Sequence, residues 1–154
     1  MDDEGLADLA HELGVDLRTA LQALGAGWRR VEVRGHEWPV DRWAGVTWFV
    51  AGEPRQVLLG LDHAALVVAR PVAHADLGPV LGWTDAREFA RDDVVFQPGL
   101  LVDAIEDVVR ASRRRLRWCR TCRTLHAPED MHDRNDCSDC AGARAGRSGS
   151  APRR

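Results

Sequence analysis

Four cysteines fall within 22 residues: Cys119-Arg-Thr-Cys122, then 14 residues, then Cys137-Ser-Asp-Cys140. Two pairs, each with two residues between, let four thiolates converge on one ion as a tetrahedron. Zinc suits such a soft sulfur cage, and the ion then replaces the apolar core that so short a segment cannot build. Three other readings stand beside it. Two disulfides require an oxidising compartment. A thioredoxin-like redox site needs one such pair beside a βαβ pattern. Iron also accepts four thiolates. Zinc is the expected occupant: one structural ion held by Cys119, Cys122, Cys137 and Cys140. Four sulfur ligands leave no position for water, so the site is expected to be structural and not catalytic.

The segment around these cysteines, about residues 117–142, resembles a zinc ribbon or a related four-cysteine zinc module. That resemblance implies a knuckle turn at each cysteine pair. Knuckles often carry glycine just after the second cysteine; here Arg123 and Ala141 hold those places, with Gly142 one step later. His126 and His132 lie between the pairs and are expected to stand beside the site without ligating. Four thiolates and one dication leave a formal charge of −2, which Arg120, Arg123 and Arg134 are placed to offset.

Charge divides the chain. Residues 1–109 hold 9 Arg against 19 Asp plus Glu, a balance of −10, whereas residues 110–154 hold 12 Arg against 5 acids, a balance of +7. Arg113, Arg114, Arg115, Arg117, Arg120 and Arg123 concentrate beside the first cysteine pair and are candidates for contact with nucleic acid or a partner protein. All 21 basic residues are Arg, and Lys and Tyr are absent, a bias that points to a GC-rich, bacterial coding sequence.

Leu6, Leu9, Ala10 and Leu13 recur at helical spacing, as do Leu17, Ala20, Leu21 and Leu24, with Gly14 between the sets. This predicts a helical pair over residues 1–27, closed by Gly25 and Gly27. The stretch from Leu6 to Thr19 resembles the helix-turn-helix of bacterial regulators. Extended to Leu24, it is also similar to the helical submodule at the amino terminus of bacterial translation initiation factor 2. The helix-turn-helix resemblance implies that residues 16–24 form a recognition helix. Residues 1–24 carry six acids and one arginine, so only Arg18 and Gln22 are available to base edges, and the pair is expected to pack on the body or bind protein.

Residues 28–98 read as a small antiparallel β-rich body of three or four strands. Trp28 to Arg34 alternates; Val46 to Ala51 and Gln56 to Leu61 flank a turn at Gly52-Glu53-Pro54; Ala65 to Ala69 adds another run. Thr84 is expected to cap a short helix through Ala90, and Val94 to Phe96 to form a stub of strand. Leu101, Ala104, Ile105, Val108 and Val109 mark a long connecting helix over 99–118, acidic first and basic last as the helix dipole favours. Residues 119–142 form the zinc module, and the Gly-, Ala-, Ser- and Arg-rich residues 143–154 are expected to be a disordered basic tail. The fold class is therefore α+β: helical pair, small antiparallel sheet, long helix and zinc ribbon.

Chemistry elsewhere is sparse. Trp38, Trp43 and Trp48 are candidates for stacking on a planar ligand, with core or interface as the commoner use of such residues. His36-Glu37, Asp62-His63 and His74 with Asp76 are possible acid–base partners, but none stands in a catalytic spacing. No phosphate-cradling loop, nucleophile elbow or His-Glu-x-x-His motif is present, so a non-enzymatic role is favoured. No apolar run reaches the ~20 residues that cross a bilayer, and the acidic start, Met1-Asp2-Asp3-Glu4, lacks the order of a secretory signal. A cytoplasmic location is expected, and no small-molecule substrate is indicated. Three roles follow: a zinc-binding adaptor or regulator touching nucleic acid or its machinery through the arginines; a protein-interaction module using the tryptophan-bearing sheet, with zinc only structural; and, less favoured, an enzyme built around His36, His63 or His74.

Overall fold

The computed structural model describes residues 4–34, 45–73 and 80–148. The fold is α+β, and the chain divides into two compact units, residues 1–113 and 114–154. In the first unit the helical pair forms as the periodicity predicts: α1 spans Glu4–Leu13 and α2 spans Leu17–Leu24. Asp16 caps α2 by accepting the Thr19 N–H at 3.0 Å, and Gly25, at a φ of 75°, ends it.

Five strands follow: β1 Arg29–Val31, β2 Thr47–Ala51, β3 Val57–Leu61, β4 Ala65–Ala73 and β5 Leu81–Ala90. They pair antiparallel in sequence order. Beyond β1 the chain meets the start of β5: Arg34 N–H donates to Leu81 O at 2.9 Å, and Leu81 N–H donates to Glu32 O at 3.2 Å. The sheet therefore curls until its first and last strands touch.

This curl explains why β2, β3 and β4 are apolar on both faces. Phe49, Ala51, Val57, Leu59, Leu61, Leu66 and Val68 point outward into a core shared with the helices. Trp48, Val50, Leu58, Val67, Ala69 and Leu81 point to the inside of the curl. Gly60 stands opposite Trp48 in the register, and a Cβ there would come within 2.8 Å of the indole. Glycine makes the room that the tryptophan fills.

The helices cover the outer face. Leu6, Leu9, Ala10 and Ala20 of the helical pair join Leu101, Ala104, Ile105 and Val108 of a 17-residue helix, α4, Gly99–Arg115. One turn past this stripe Ser112 is buried, and its hydroxyl donates to Gln56 O at 2.6 Å. A polar residue on the apolar face is thus paired, as burial demands.

Several expectations are corrected. The sheet has five strands, not three or four. Residues 84–90 belong to β5 and not to a helix capped by Thr84: β4 supplies a long register, shifted between Val68 and Arg70, that overrides the helical bias of Asp85-Ala-Arg-Glu-Phe-Ala90. Residues 94–96 lie in a short helix, α3, Arg91–Phe96, with Asp92 and Asp93 in its favourable first turn. The long helix stops at Arg115, because Arg117 and Trp118 turn into a strand, β6. In the second unit β6 pairs with β7, Leu125–His126. A single 3-10 turn at Pro128–Asp130 then leads to α5, Ser138–Ser148. Helix α5 occupies residues 143–148, where a disordered tail is expected from composition. Alanine and arginine are good helix formers, and Arg144 is tied down by ion pairing. No helix among the described residues is long and apolar enough to cross a membrane.

Candidate metal centre

The first cysteine pair sits on the β6–β7 hairpin. Cys119 N–H donates to Thr124 O at 2.9 Å, and Arg123 N–H donates back to Cys119 O at 3.0 Å, closing a tight turn around Cys122. This turn needs a left-handed residue, and Arg123 supplies it at a φ of 57°. The position usually given to glycine has the conformation of a knuckle without the glycine.

The second pair is positioned differently. Cys137 lies just before α5 and Cys140 in its first turn, so a helix start and not a second knuckle presents it. The N–H groups of a first helical turn have no partner within the helix, and they favour negative sulfur nearby.

The four sulfurs lie within 4.8 Å of one another. A tetrahedron with bonds of about 2.3 Å to the ion places sulfurs about 3.8 Å apart, and Cys122 Sγ stands 4.0 Å from Cys137 Sγ. Cys119 and Cys137 are buried, Cys140 is half-buried and Cys122 is exposed. The donor set therefore fits one metal ion, and the cluster is compatible with a zinc ribbon.

Protonation separates the two pairs. Hydrogen bonds from Thr124 Oγ1 at 3.0 Å and His126 Nε2 at 3.2 Å bring the Cys122 thiol down to about 6. The Cys122 backbone N–H lowers Cys119. Cys140 is pushed up to about 12, first by its hydrogen bond to the Cys137 sulfur. Cys137 is raised too: the Cys140 backbone N–H works against this, but burial and the sulfurs of Cys119 and Cys122 outweigh it. Cys119 and Cys122 are thus lowered and Cys137 and Cys140 raised, an imbalance that a bound dication would remove.

A polar brace joins the pairs. Asp136 is buried; its carboxylate accepts the Thr121 hydroxyl at 2.7 Å and Arg144 Nη1 at 2.6 Å. Arg144 Nη2 also donates to the Thr121 oxygen at 2.6 Å. Thr121 lies between Cys119 and Cys122, and Asp136 directly precedes Cys137. Sequence reasoning missed this brace, although an acid beside a ligand cysteine was a signal available in the spacing. His126 stands beside Cys122, and the His132 backbone N–H donates to Asp136 O at 3.0 Å.

The six arginines do not share one environment. Arg113 belongs to the first unit, where its Nε donates to the Gln56 side-chain oxygen at 2.9 Å. Arg114, Arg115, Arg117, Arg120 and Arg123 are exposed in the second unit. None of the five side chains makes an ion pair or hydrogen bond among the described residues. Arg117 and Arg134 line one open groove of about 670 Å³ with Pro128, Met131 and Asp133. Arg134, placed by its sequence position to help offset the metal site's charge, also lies on this groove.

Searches of protein-family models, curated proteins and solved structures return no match to this chain. Among the remaining candidates, Trp48 is buried inside the sheet, 6% exposed, at the wall of an open groove lined by Val31, Val33 and Val46. His63 is exposed in the β3–β4 turn. His36, Glu37, Trp38, Trp43, His74 and Asp76 lie outside the described residues.

Proposed function

We propose that this chain is a zinc-binding, non-enzymatic adaptor whose second unit grips the phosphate backbone of nucleic acid. The observation that carries the reading is the set of five exposed guanidinium groups, Arg114, Arg115, Arg117, Arg120 and Arg123, that no acceptor among the described residues engages. In sequence they lie directly beside and between the cysteines of a cluster whose four sulfurs suit zinc. Phosphate contacts from such groups supply most of the affinity in nucleic-acid binding. Trp118, 53% exposed between Arg117 and Cys119, adds an aromatic face on which a base can stack. The acidic first unit repels a polyanion, which confines the contact to the carboxyl-terminal unit.

Fluorescence anisotropy with a labelled single-stranded oligonucleotide tests this reading. Affinity is expected to fall steeply with added salt, and by roughly 100-fold when the five arginines become glutamine. Metal content, measured in parallel, shows that the variant keeps its module. Binding that survives the substitution, or that ignores salt, overturns the reading.

A further inference from the structure

In the first unit, the turn joining α1 to α2 and the helices α3 and α4 enclose an apolar cavity of about 360 Å³. Leu13, Val15, Leu24, Leu66, Val94 and Leu101 supply much of its wall. Small-molecule pockets commonly run from about 300 to 1,000 Å³ and combine an apolar wall with a few placed polar groups. Here the single charged lining residue is Arg91.

Arg91 is held as a fixed cation. Its Nη1 donates to Asp62 O at 2.6 Å and its Nη2 donates to Glu12 O. Both acceptors are neutral carbonyls, so they orient the guanidinium without cancelling its charge. The nearby Asp62 carboxylate accepts the Ala64 and Ala65 backbone N–H groups, at 2.7 and 2.6 Å; it attracts the guanidinium through space but takes none of its N–H groups. Of the five guanidinium N–H groups, three have no protein acceptor among the described residues.

The helices around the cavity leave apolar surface uncovered. Helix α3 has no buried residue, although it carries Val95 and Phe96, 70% and 83% exposed. Leu17 and Leu21 on α2 and Leu100 on α4 are exposed as well. A cavity of about 360 Å³ lies at the small end of the small-molecule range, and an unbranched chain or a small ring system fits it.

We infer that this cavity binds a small amphiphile, an apolar chain ending in a carboxylate. The chain lies among α2, α3 and α4, and the carboxylate meets the free N–H groups of Arg91. A rigid cation against a carboxylate gives a charge-assisted hydrogen bond, about twice as strong as a neutral one.

The test uses the full chain and decanoate as probe, with decanol and decyltrimethylammonium as the neutral and cationic counterparts, followed by titration calorimetry below the micelle point. Decanoate is expected to bind one per chain, with decanol at least about tenfold weaker and the cation not binding. Ala23 is exposed and lines the cavity, so Ala23→Phe fills the space from its rim. That variant is expected to lose decanoate while keeping the parent circular-dichroism spectrum. Val102→Phe does the same from the α4 side if Ala23→Phe alters the spectrum. Absent or non-saturable decanoate binding overturns the inference, as do equal affinities for the three probes. Undiminished binding in a folded, filled variant overturns it too.

Discussion

Asp136 and Arg144 form an ion pair at 2.6 Å that spans eight residues and anchors α5 against the acid preceding Cys137. Because the same carboxylate accepts the Thr121 hydroxyl, one buried acid holds the hairpin cysteines and the helix cysteines in a common frame. Groups behind metal ligands commonly account for 10–100-fold in metal affinity. Asp136→Ala is therefore expected to weaken zinc binding by about 10-fold or more, as read by competition with a chromophoric chelator. Arg144→Ala should act in the same direction and more weakly, since its side chain is mostly exposed. Unchanged affinity in Asp136→Ala removes the brace from the account.

Arg123 takes a left-handed backbone conformation, which costs a residue with a Cβ about 1–2 kcal/mol. Arg123→Gly is expected to stabilise the metal-bound second unit by about 1 kcal/mol, seen as a higher denaturant midpoint. On the proposed function the same change also removes one phosphate-binding group, so oligonucleotide affinity is expected to fall as stability rises. A loss of both would mean that the Arg123 side chain holds the turn.

Gly60 faces Trp48 across the β2–β3 register. Gly60→Ala drives a methyl into a buried indole, and overpacking of that kind costs about 1–3 kcal/mol. A lower melting temperature for the first unit is the expected result. Parent stability would show that the Trp48 ring has space to move.

Asp62 is held below the usual carboxylate range. Partial burial opposes the shift, but the Ala64 and Ala65 N–H groups outweigh it, with help from His63 and Arg91. A depressed folded-state value means that its contribution is present above the unfolded value near 4 and is lost as pH falls through the lower folded one. Asp62→Ala is expected to destabilise the chain at neutral pH and to flatten the acid limb of its stability profile. The difference between the two proteins should vanish in strong acid; a difference that persists there assigns the effect to packing.

The parts of the fold that were legible in sequence are those fixed by local chemistry. The helical pair followed from leucine spacing around Gly14, the β2–β3 hairpin from Gly52-Glu53-Pro54, and the gathering of the four cysteines from their spacing. What escaped was decided at a distance. Residues 84–90 read as a helix because their own propensity favours one, whereas β4 pairs them into a strand. The closure of the sheet rests on a contact between residues 32–34 and Leu81 that leaves no local mark. The 143–148 stretch has nothing to bury, yet Arg144 finds an acid eight residues earlier. Likewise, nothing in the arginine run distinguishes Arg113, engaged by Gln56, from its unengaged neighbours.

The central claim is that Cys119, Cys122, Cys137 and Cys140 together hold one zinc ion. Elemental analysis of the purified chain, coupled to circular dichroism before and after chelation, tests it most directly. One zinc per chain is predicted, abolished by Cys137→Ser, with chelation unfolding the second unit and leaving the signal of the five-stranded sheet. A chain without stoichiometric zinc after refolding in its presence, or a second unit that stays folded once stripped, would contradict the account.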